Sequence, residues 1–397
     1  MKILMLLEAD FPHDVRVENE IEALSDAGHE VHLACTTQTG KPALENLGRV
    51  TIHRQAISKF IFKSSVGSLK FSFYFNFWRK YISDIFSQEK FEAIHVHDLP
   101  LSIIGAEIRK TFRIPFILDL HENWPGLLSI SPHTRSLAGR FLCSIRKWKN
   151  YEKEYTSLAD AVIVVADEAA ERIKGLGVPE EKIEIISNTI NIRHSAKVQP
   201  SGKQSQGKKR LIYEGGVTFH RGIQFVIEAL SRLEEEKNNV ELVVAGTGPY
   251  LQKLKDLAYR LNVGNMIIFT GWQPQEKIYE LISQADLALI PHIKSSHTDS
   301  TIPHKLFHYM YAGIPVLASN CRPLERIIKE TSAGLLYQFD NVDDLAEKLK
   351  TATKSGMSFN PSEAREWVIK KYNWDFDAKR LQKLYGKFSG QGTANSE

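Results

Sequence analysis

Apolar residues fall in short runs along this chain, and the spacers between the runs carry a helical period. In the first half the runs predict strands at Ile3–Leu7, Val31–Cys35, Val50–His53, Ala93–Val96, Pro115–Leu120, Ala161–Val165 and Ile183–Ile186. Helices are predicted between them, including Val17–Ala27, Leu101–Phe112 and Ser136–Ser157. The second half restarts the alternation, with strands at Leu211–Tyr213, Glu241–Ala245, Met266–Thr270, Leu287–Ile290, Pro315–Ala318 and Leu335–Tyr337. Its helices include Gly222–Leu233, Tyr250–Leu261, Pro274–Ala285, His304–Tyr311 and Val342–Thr351. Strands spaced by helices of this length predict parallel sheets covered on both faces. Ala196 to Lys209, AKVQPSGKQSQGKK, is polar and lacks apolar periodicity, so it reads as a linker. The expected organisation is an α/β domain over 1–195, a linker over 196–209 and a second α/β domain over 210–360. An amphipathic helical segment over 361–388 and a flexible tail over 389–397 follow. Two doubly wound domains predict a cleft at their strand carboxyl ends, where ligands bind.

The stretch His297–Glu325 carries the strongest local signal. After the strand Leu287–Ile290, Ser300 and Thr301 are placed to cap a helix with Pro303 in its first turn; Gly313 ends that helix and Pro315 opens the next strand. A helix start at a strand end presents free N–H groups and a positive dipole end, which suits a diphosphate near Thr301, Ile302 and Lys305. An ordinary βαβ connection is the other reading. The loop Tyr213–Gly222 has the same form. Gly215 and Gly216 permit close backbone approach, and Arg221 adds a cation with a two-pronged grip. Gly246 repeats the theme in Ala245–Pro249; a plain turn explains it equally. GxxxxGK[ST] is absent, which excludes a P-loop, and GxGxxG is missing after the first strand, where a nicotinamide enzyme needs it.

In the first half two strand ends carry chemistry: His95-Val96-His97-Asp98 and Asp119-Leu120-His121-Glu122-Asn123-Trp124. Such groups hold a sugar, transfer protons, bind a metal or simply cap the next helix. The Glu-Asn-Trp-Pro turn after His121 favours a functional role, and Trp124 beside amides and carboxylates suits a carbohydrate.

Composition narrows the classes. The 397 residues are 43% hydrophobic and 25% charged with net charge +4, as in a soluble globular protein and too weakly basic to argue for nucleic acid. Cys35, Cys143 and Cys321 are widely spaced, which excludes a disulfide framework and a zinc cluster and favours a reducing compartment. The opening MKILMLLEADFPHD predicts a strand rather than a signal peptide, and no apolar run approaches the ~18 residues that cross a bilayer. From Arg49 to Ser83 there are seven Lys/Arg, no Asp/Glu, and interleaved Phe60, Phe62, Phe71, Phe73, Tyr74, Phe75, Phe77, Trp78 and Tyr81. This suits an anionic membrane surface, single-stranded nucleic acid, or a helix with one buried aromatic face. Arg135, Arg140, Arg146, Lys147 and Lys149 form a second basic stretch. Nucleic acid is the weakest of these readings, because no sequence-reading module is apparent.

In this order, the motifs resemble the family 4 (group 1) retaining glycosyltransferases of the GT-B fold, across nearly the whole chain. Lys2-Ile3-Leu4 and Leu24–Val31 look like the family's opening strand, helix and second strand. Ile94–His97, Leu118–Glu122 and Ser187-Asn188 look like later strand ends, Tyr213 to Gly222 like its diphosphate loop, and Pro303-x-Lys305-Leu306-Phe307-x-Tyr309-Met310-x-Ala312-Gly313-x-Pro315 like its donor-binding helix. The resemblance implies two Rossmann-like domains facing across a cleft, retention at the anomeric carbon, and no required cofactor or metal. The donor is a UDP-sugar or GDP-sugar held by Gly215, Gly216, Arg221, Gly246, Thr301, Ile302, Lys305 and His308. His121, Asp299 and Ser300 take the catalytic places; Arg16, His97, Glu122 and Trp124 face a lipid-linked or saccharide acceptor. The helical segment over 361–388 crosses back to the first domain, and the protein works in polysaccharide or glycolipid assembly in the cytoplasm, at the inner face of the membrane.

The chain departs from the pattern in places. Much of the family carries Glu-x7-Glu where Ser300 and His308 stand. His308 still suits ribose hydroxyls. Ser300 brings no negative charge, and Asp299 supplies it only if its loop turns inward. Gly216 replaces an Arg of many relatives, and the loop after the first strand, Glu8 to Arg16, is charged rather than glycine-rich. A sugar-nucleotide 2-epimerase and a catalytically silent GT-B subunit are the alternatives these departures leave.

Overall fold

The computed structural model describes residues 1–12, 14–131, 134, 136–194, 207–233, 239–354 and 359–390. Most of the expected linker and tail, and Arg135, lie outside these residues, as does the side chain of Arg140. The chain divides into two compact units, Met1–Ser187 with Asp375–Glu397, and Asn188–Trp374.

The first unit holds eight strands: β1 (Lys2–Leu7), β2 (Glu30–Thr37), β3 (Leu44–Leu47), β4 (Val50–Ala56), β5 (Ala93–His97), β6 (Phe116–Leu120), β7 (Ala161–Val164) and β8 (Ile183–Ile185). Their order is β3-β4-β2-β1-β5-β6-β7-β8, parallel except for β3 on β4. β3 is an addition to the predicted set. Its sequence LENL lacks apolar alternation, and a turn through left-handed Gly48 pairs it with β4. The helices are α1 (Val15–Asp26), α2 (Lys59–Ser64), α3 (Phe73–Gln88), α4 (Ser102–Phe112), α5 (Trp124–Ile130), α6 (Leu137–Leu142), α7 (Ile145–Leu158) and α8 (Asp167–Gly175). The single helix predicted over 136–157 is two, because the Ser144 hydroxyl accepts from Lys147 N and starts α7 anew. In α3 the aromatic residues divide by face. Tyr74, Phe75, Trp78, Tyr81, Ile82 and Ile85 are buried at helical spacing, so this part of the aromatic-basic stretch is core.

The second unit holds β9 (Lys209–Glu214), β10 (Val240–Ala245), β11 (Ile267–Gly271), β12 (Leu287–Ile290), β13 (Val316–Ser319) and β14 (Gly334–Tyr337), all parallel, in the order β11-β10-β9-β12-β13-β14. Helices α9 (Ile223–Ser231), α10 (Leu251–Arg260), α11 (Gln275–Ser283), α12 (Lys305–Tyr311), α13 (Arg322–Thr331), α14 (Val342–Thr353) and α15 (Pro361–Lys370) cover it. Successive residues of β12 enter different cores: Ala288 and Ile290 one, Leu287 and Leu289 the other. A strand buried on both faces reads as an unbroken apolar run, which is why it was visible in the sequence.

The segment expected over 361–388 is two helices. α15 belongs to the second unit, where the Arg365 guanidinium lies 3.9 Å over the Tyr311 ring. α16 (Trp374–Ser389) packs in the first unit, where Gln382 Nε2 donates to Ala23 O at 2.8 Å. Among the described residues no helix is long and apolar enough to cross a membrane.

Candidate active site

In both units the sheet order reverses beside the first strand, between β1 and β5 and between β9 and β12. Loops at such a point diverge to opposite faces and leave a crevice at the strand carboxyl ends. Each unit gathers its polar side chains there.

In the first unit, Asp14 caps α1 by accepting from Arg16 N and Val17 N. That fixes Arg16 and Glu20 one turn apart on the same inward face. Arg16 Nε and Nη2 donate to the two oxygens of Asp119 at 2.9 and 2.7 Å, and Nη1 donates to Ile186 O at 2.9 Å. Burial alone would raise Asp119, but Arg16 and then His121 hold its carboxyl well below the usual range. Burial, with Asp119 adding to it, pushes Glu20 well above that range. His95 is pushed well down by burial; its Nδ1 lies 2.8 Å from the Tyr385 hydroxyl of α16, and its Nε2 3.4 Å from Glu20. His97 is also pushed down by burial and lies 3.1 Å from His121 Nε2. His121 behaves oppositely. Burial opposes its charge, yet Asp98 and Asp119 raise it to about 10, with Nε2 2.8 Å from Asp119 and Nδ1 3.5 Å from Asp98. It is an imidazolium at neutral pH.

Accessibility separates the roles. His121 and Asp98 keep 15% and 28% of their side chains exposed, whereas Arg16 keeps 5% and His97 none. Arg16 and His97, expected to face an acceptor, lie buried against Asp119 and His121. Trp124, half-buried, packs edge-on to Trp148 at 6.0 Å, against the core. Glu122 is half-buried, and Asn123 beside it caps α5 by accepting from Gly126 N.

In the second unit Gly215 follows β9 with φ +111°. Lys305, 7% exposed, reaches back so that Nζ donates to Glu214 O and lies 4.0 Å over the Tyr213 ring. Arg221 Nη1 donates to His292 Nε2 at 3.1 Å. Burial lowers Lys305 to about 8, with Arg221 adding to the shift. Burial and then Arg221 bring His220 to about 4, and His292 falls well below its ordinary value for the same reasons. Two basic side chains thus stand beside imidazoles that burial keeps neutral. Gly216 is exposed, and a Cβ added to it would meet nothing within 4 Å. Gly246 has another role. A Cβ there would lie 1.9 Å from Gly215 O, so this glycine lets two backbones meet instead of lining a ligand site.

α12 begins at Lys305, one residue after the predicted start at His304, but neither Ser300 nor Thr301 caps it. Ser300 is buried with its hydroxyl on Ser296 O at 2.8 Å, and the Thr301 hydroxyl bonds His297 O at 3.1 Å. Asp299 accepts from Arg322 N at 2.9 Å, so its loop turns it toward the start of α13. In this structure the groups expected at the catalytic places are thus engaged with the backbone, Asp299 with Arg322 N and Ser300 with Ser296 O. Ile302 is core, and His308 is half-buried, edge-on to Tyr279 at 5.8 Å and lowered to about 4 by burial and Lys305. Sequence reasoning missed Glu20, Tyr385, His220 and His292. Glu20 stands four residues after Arg16 and His292 just after a strand end, both readable signals; Tyr385 has none.

A family model described as "Glycosyl transferases group 1" matches residues 196–374, and one described as "Glycosyltransferase Family 4" matches 14–194. An uncharacterized glycosyltransferase of Methanocaldococcus jannaschii is 26% identical, covering 92% of this chain and 91% of its own. Alpha-monoglucosyldiacylglycerol synthase of Streptococcus pneumoniae is 23% identical over 97% of this chain and 85% of its own. The solved structure of Anabaena HepE in complex with UDP superposes with a TM-score of 0.66 at 15% identity, over 98% of this chain and all of that one.

Proposed function

The chain belongs to the group 1, family 4 glycosyltransferases of the GT-B fold, and on that premise we propose that it transfers a hexosyl group from a nucleoside-diphosphate sugar to a hydroxyl acceptor with retention at the anomeric carbon. The observation that carries this reading is that two cations serve the loop around Gly215, Lys305 on the Glu214 carbonyl and Arg221 on His292, with His292 held neutral by burial and by both charges. In the transfer the bond from the anomeric carbon to the diphosphate breaks with its electron pair left on the phosphate oxygen, the acceptor hydroxyl oxygen bonds that carbon on the same face, and the acceptor's proton passes to the departing diphosphate. Fixed cations stabilise that charge best when they need no rearrangement. Arg221 and Lys305 supply them, so this reading requires no metal. His121, an imidazolium reaching solvent, is assigned to the donor sugar. His308 is assigned to the ribose. That HepE binds UDP supports a uridine or similar donor.

The test is to incubate purified protein with UDP- and GDP-sugars, with and without polyprenyl-linked and simple glycoside acceptors. Acceptor-dependent release of nucleoside diphosphate, with a product of unchanged anomeric configuration by NMR, is expected. Epimerised donor without acceptor would replace this reading by an epimerase. Nucleotide binding without turnover would replace it by a silent subunit.

A lipid-linked acceptor also fits the exposed surface of the first unit. Phe60, Phe62, Phe71, Phe73 and Phe141 are exposed together with Lys59, Lys63 and Lys70. They are contiguous: Phe60 lies 6.0 Å from Phe73, Phe71 6.3 Å from Phe73, and Lys70 Nζ 3.1 Å over Phe141. Aromatic rings rimmed by ammonium groups suit the headgroup layer of an anionic membrane. The pneumococcal relative, whose name places its product on diacylglycerol, supports the same assignment.

A further inference from the structure

Two clusters of metal-ligating side chains stand in the first unit. One, Glu20 with His95, His97 and Asp119, is the buried network already described, and Arg16 occupies both oxygens of its Asp119. The other is separate. His32 on β2, His53 on β4 and Glu89 just after α3 bring three ligand atoms within 4.8 Å of one another.

Its parts come from three elements. β2 and β4 are parallel neighbours with His32 opposite Thr51 and His53 opposite Ala34, so the two rings stand on one face of the sheet two registers apart. They stack at 5.2 Å with 24° between planes, and His32 Nδ1 lies 2.9 Å from His53 Nε2. Glu89 Oε2 lies 3.6 Å from His32 Nδ1. His53 and Glu89 are half-buried, so an ion has a path in. Phe91 packs edge-on to His32 at 5.2 Å and limits its rotation.

We propose that His32, His53 and Glu89 form a binding site for a divalent transition-metal ion of the zinc type, tying β2, β4 and the end of α3 together. Two imidazoles and a carboxylate are a donor set that Zn2+ takes tetrahedrally with a fourth position left to water. The two nitrogens need to separate by only a few tenths of an ångström to share an ion. Lys2 is the competitor, since Nζ lies 2.6 Å from Glu89 and 2.9 Å from Glu30. Its side chain is a quarter exposed and has room to swing aside.

The experiment is calorimetric titration of the tag-free full chain with ZnCl2 at neutral pH, repeated with CoCl2 while visible d–d absorption is followed. One equivalent of binding is expected. His53→Gln and Glu89→Gln should each weaken it at least tenfold, and Lys2→Met should tighten it. Glu89→Gln changes only a half-exposed group at a helix end, so it keeps the test valid if His53→Gln folds poorly. No binding, binding that His53→Gln and Glu89→Gln leave unchanged, or binding lost in His95→Gln instead would overturn the assignment.

Discussion

Arg16 and Asp119, 103 residues apart, meet through two nearly parallel hydrogen bonds of 2.9 and 2.7 Å with both side chains buried. The fork fixes the plane of the Asp119 carboxylate, and that carboxylate fixes His121. Removing one partner of a buried pair strands the other charge, which costs ~3–5 kcal/mol. Arg16→Ala is therefore expected to lower unfolding free energy by about that amount in urea titrations. Arg16→Lys should recover only part of it, because an ammonium cannot grip both oxygens. Equal stability of Arg16→Lys and the parent would show that the fork is unimportant.

Lys305 predicts a pH dependence of donor binding. In the free protein it titrates near 8, and a diphosphate beside it raises that value. The complex then holds more protons than the free protein above pH 8, so affinity falls as pH rises through that value, by up to about tenfold per unit. Calorimetry with UDP from pH 7 to 9.5 should show the fall, and Lys305→Met should bind weakly with a flat profile.

The glycines of the same loop differ in kind. A Cβ at Gly222 would lie 1.7 Å from Pro291 O, on a backbone with φ +74°. Gly222→Ala should lose at least ~2 kcal/mol of stability or fail to fold. Gly216 is exposed with open space around it, so Gly216→Ala should keep its melting temperature, and if the donor's phosphates lie against that backbone as proposed, it should weaken donor binding. Unchanged donor affinity would remove Gly216 from the site.

Much of the fold was legible because the strands are buried on both faces. Leu287–Ile290 was read with its observed ends for that reason. The start of α12 was read to within one residue, but its cap was misread because Ser300, Thr301 and Pro303 are all good helix-start residues. The Ser300 and Thr301 hydroxyls instead donate to the carbonyls of residues 296 and 297 and close a tight loop, and that choice depends on packing. Of the groups proposed to hold the diphosphate, Gly215, Arg221 and Lys305 sit in local motifs of the sequence, whereas burial of His220 and His292, which keeps them neutral, is a property of the packed loops. In the other unit, the contact of His95 with Tyr385 spans 290 residues and leaves no local trace.

The exposed phenylalanines predict membrane binding. Flotation with anionic vesicles should carry the protein upward, less so at high salt and not with neutral vesicles. Phe60→Ser with Phe141→Ser should reduce flotation without altering the melting temperature, because both rings are more than half exposed. Equal recovery with anionic and neutral vesicles would refute the basic contribution.

His121 carries the last prediction, in two parts. Its folded-state value of about 10 lies above the ordinary 6.5, so between these values the folded protein holds a proton the unfolded chain has lost. The stability it contributes is fully present below pH 6.5 and disappears as pH rises through 10. The stability difference between the parent and His121→Gln should therefore be largest near pH 6 and close to zero by pH 10.5, measured in urea. A difference that grows with pH would reverse the assigned charge. The second part concerns turnover. His121 reaches solvent between two carboxylates and is assigned to the sugar, while the nucleotide contacts lie in the other unit. His121→Gln should then lower kcat on the order of 10²-fold, as for loss of one preorganised donor, while the dissociation constant for UDP stays within about twofold. Equal losses in kcat and in UDP affinity would mean that His121 supports the fold of the site and does not act on the reacting sugar.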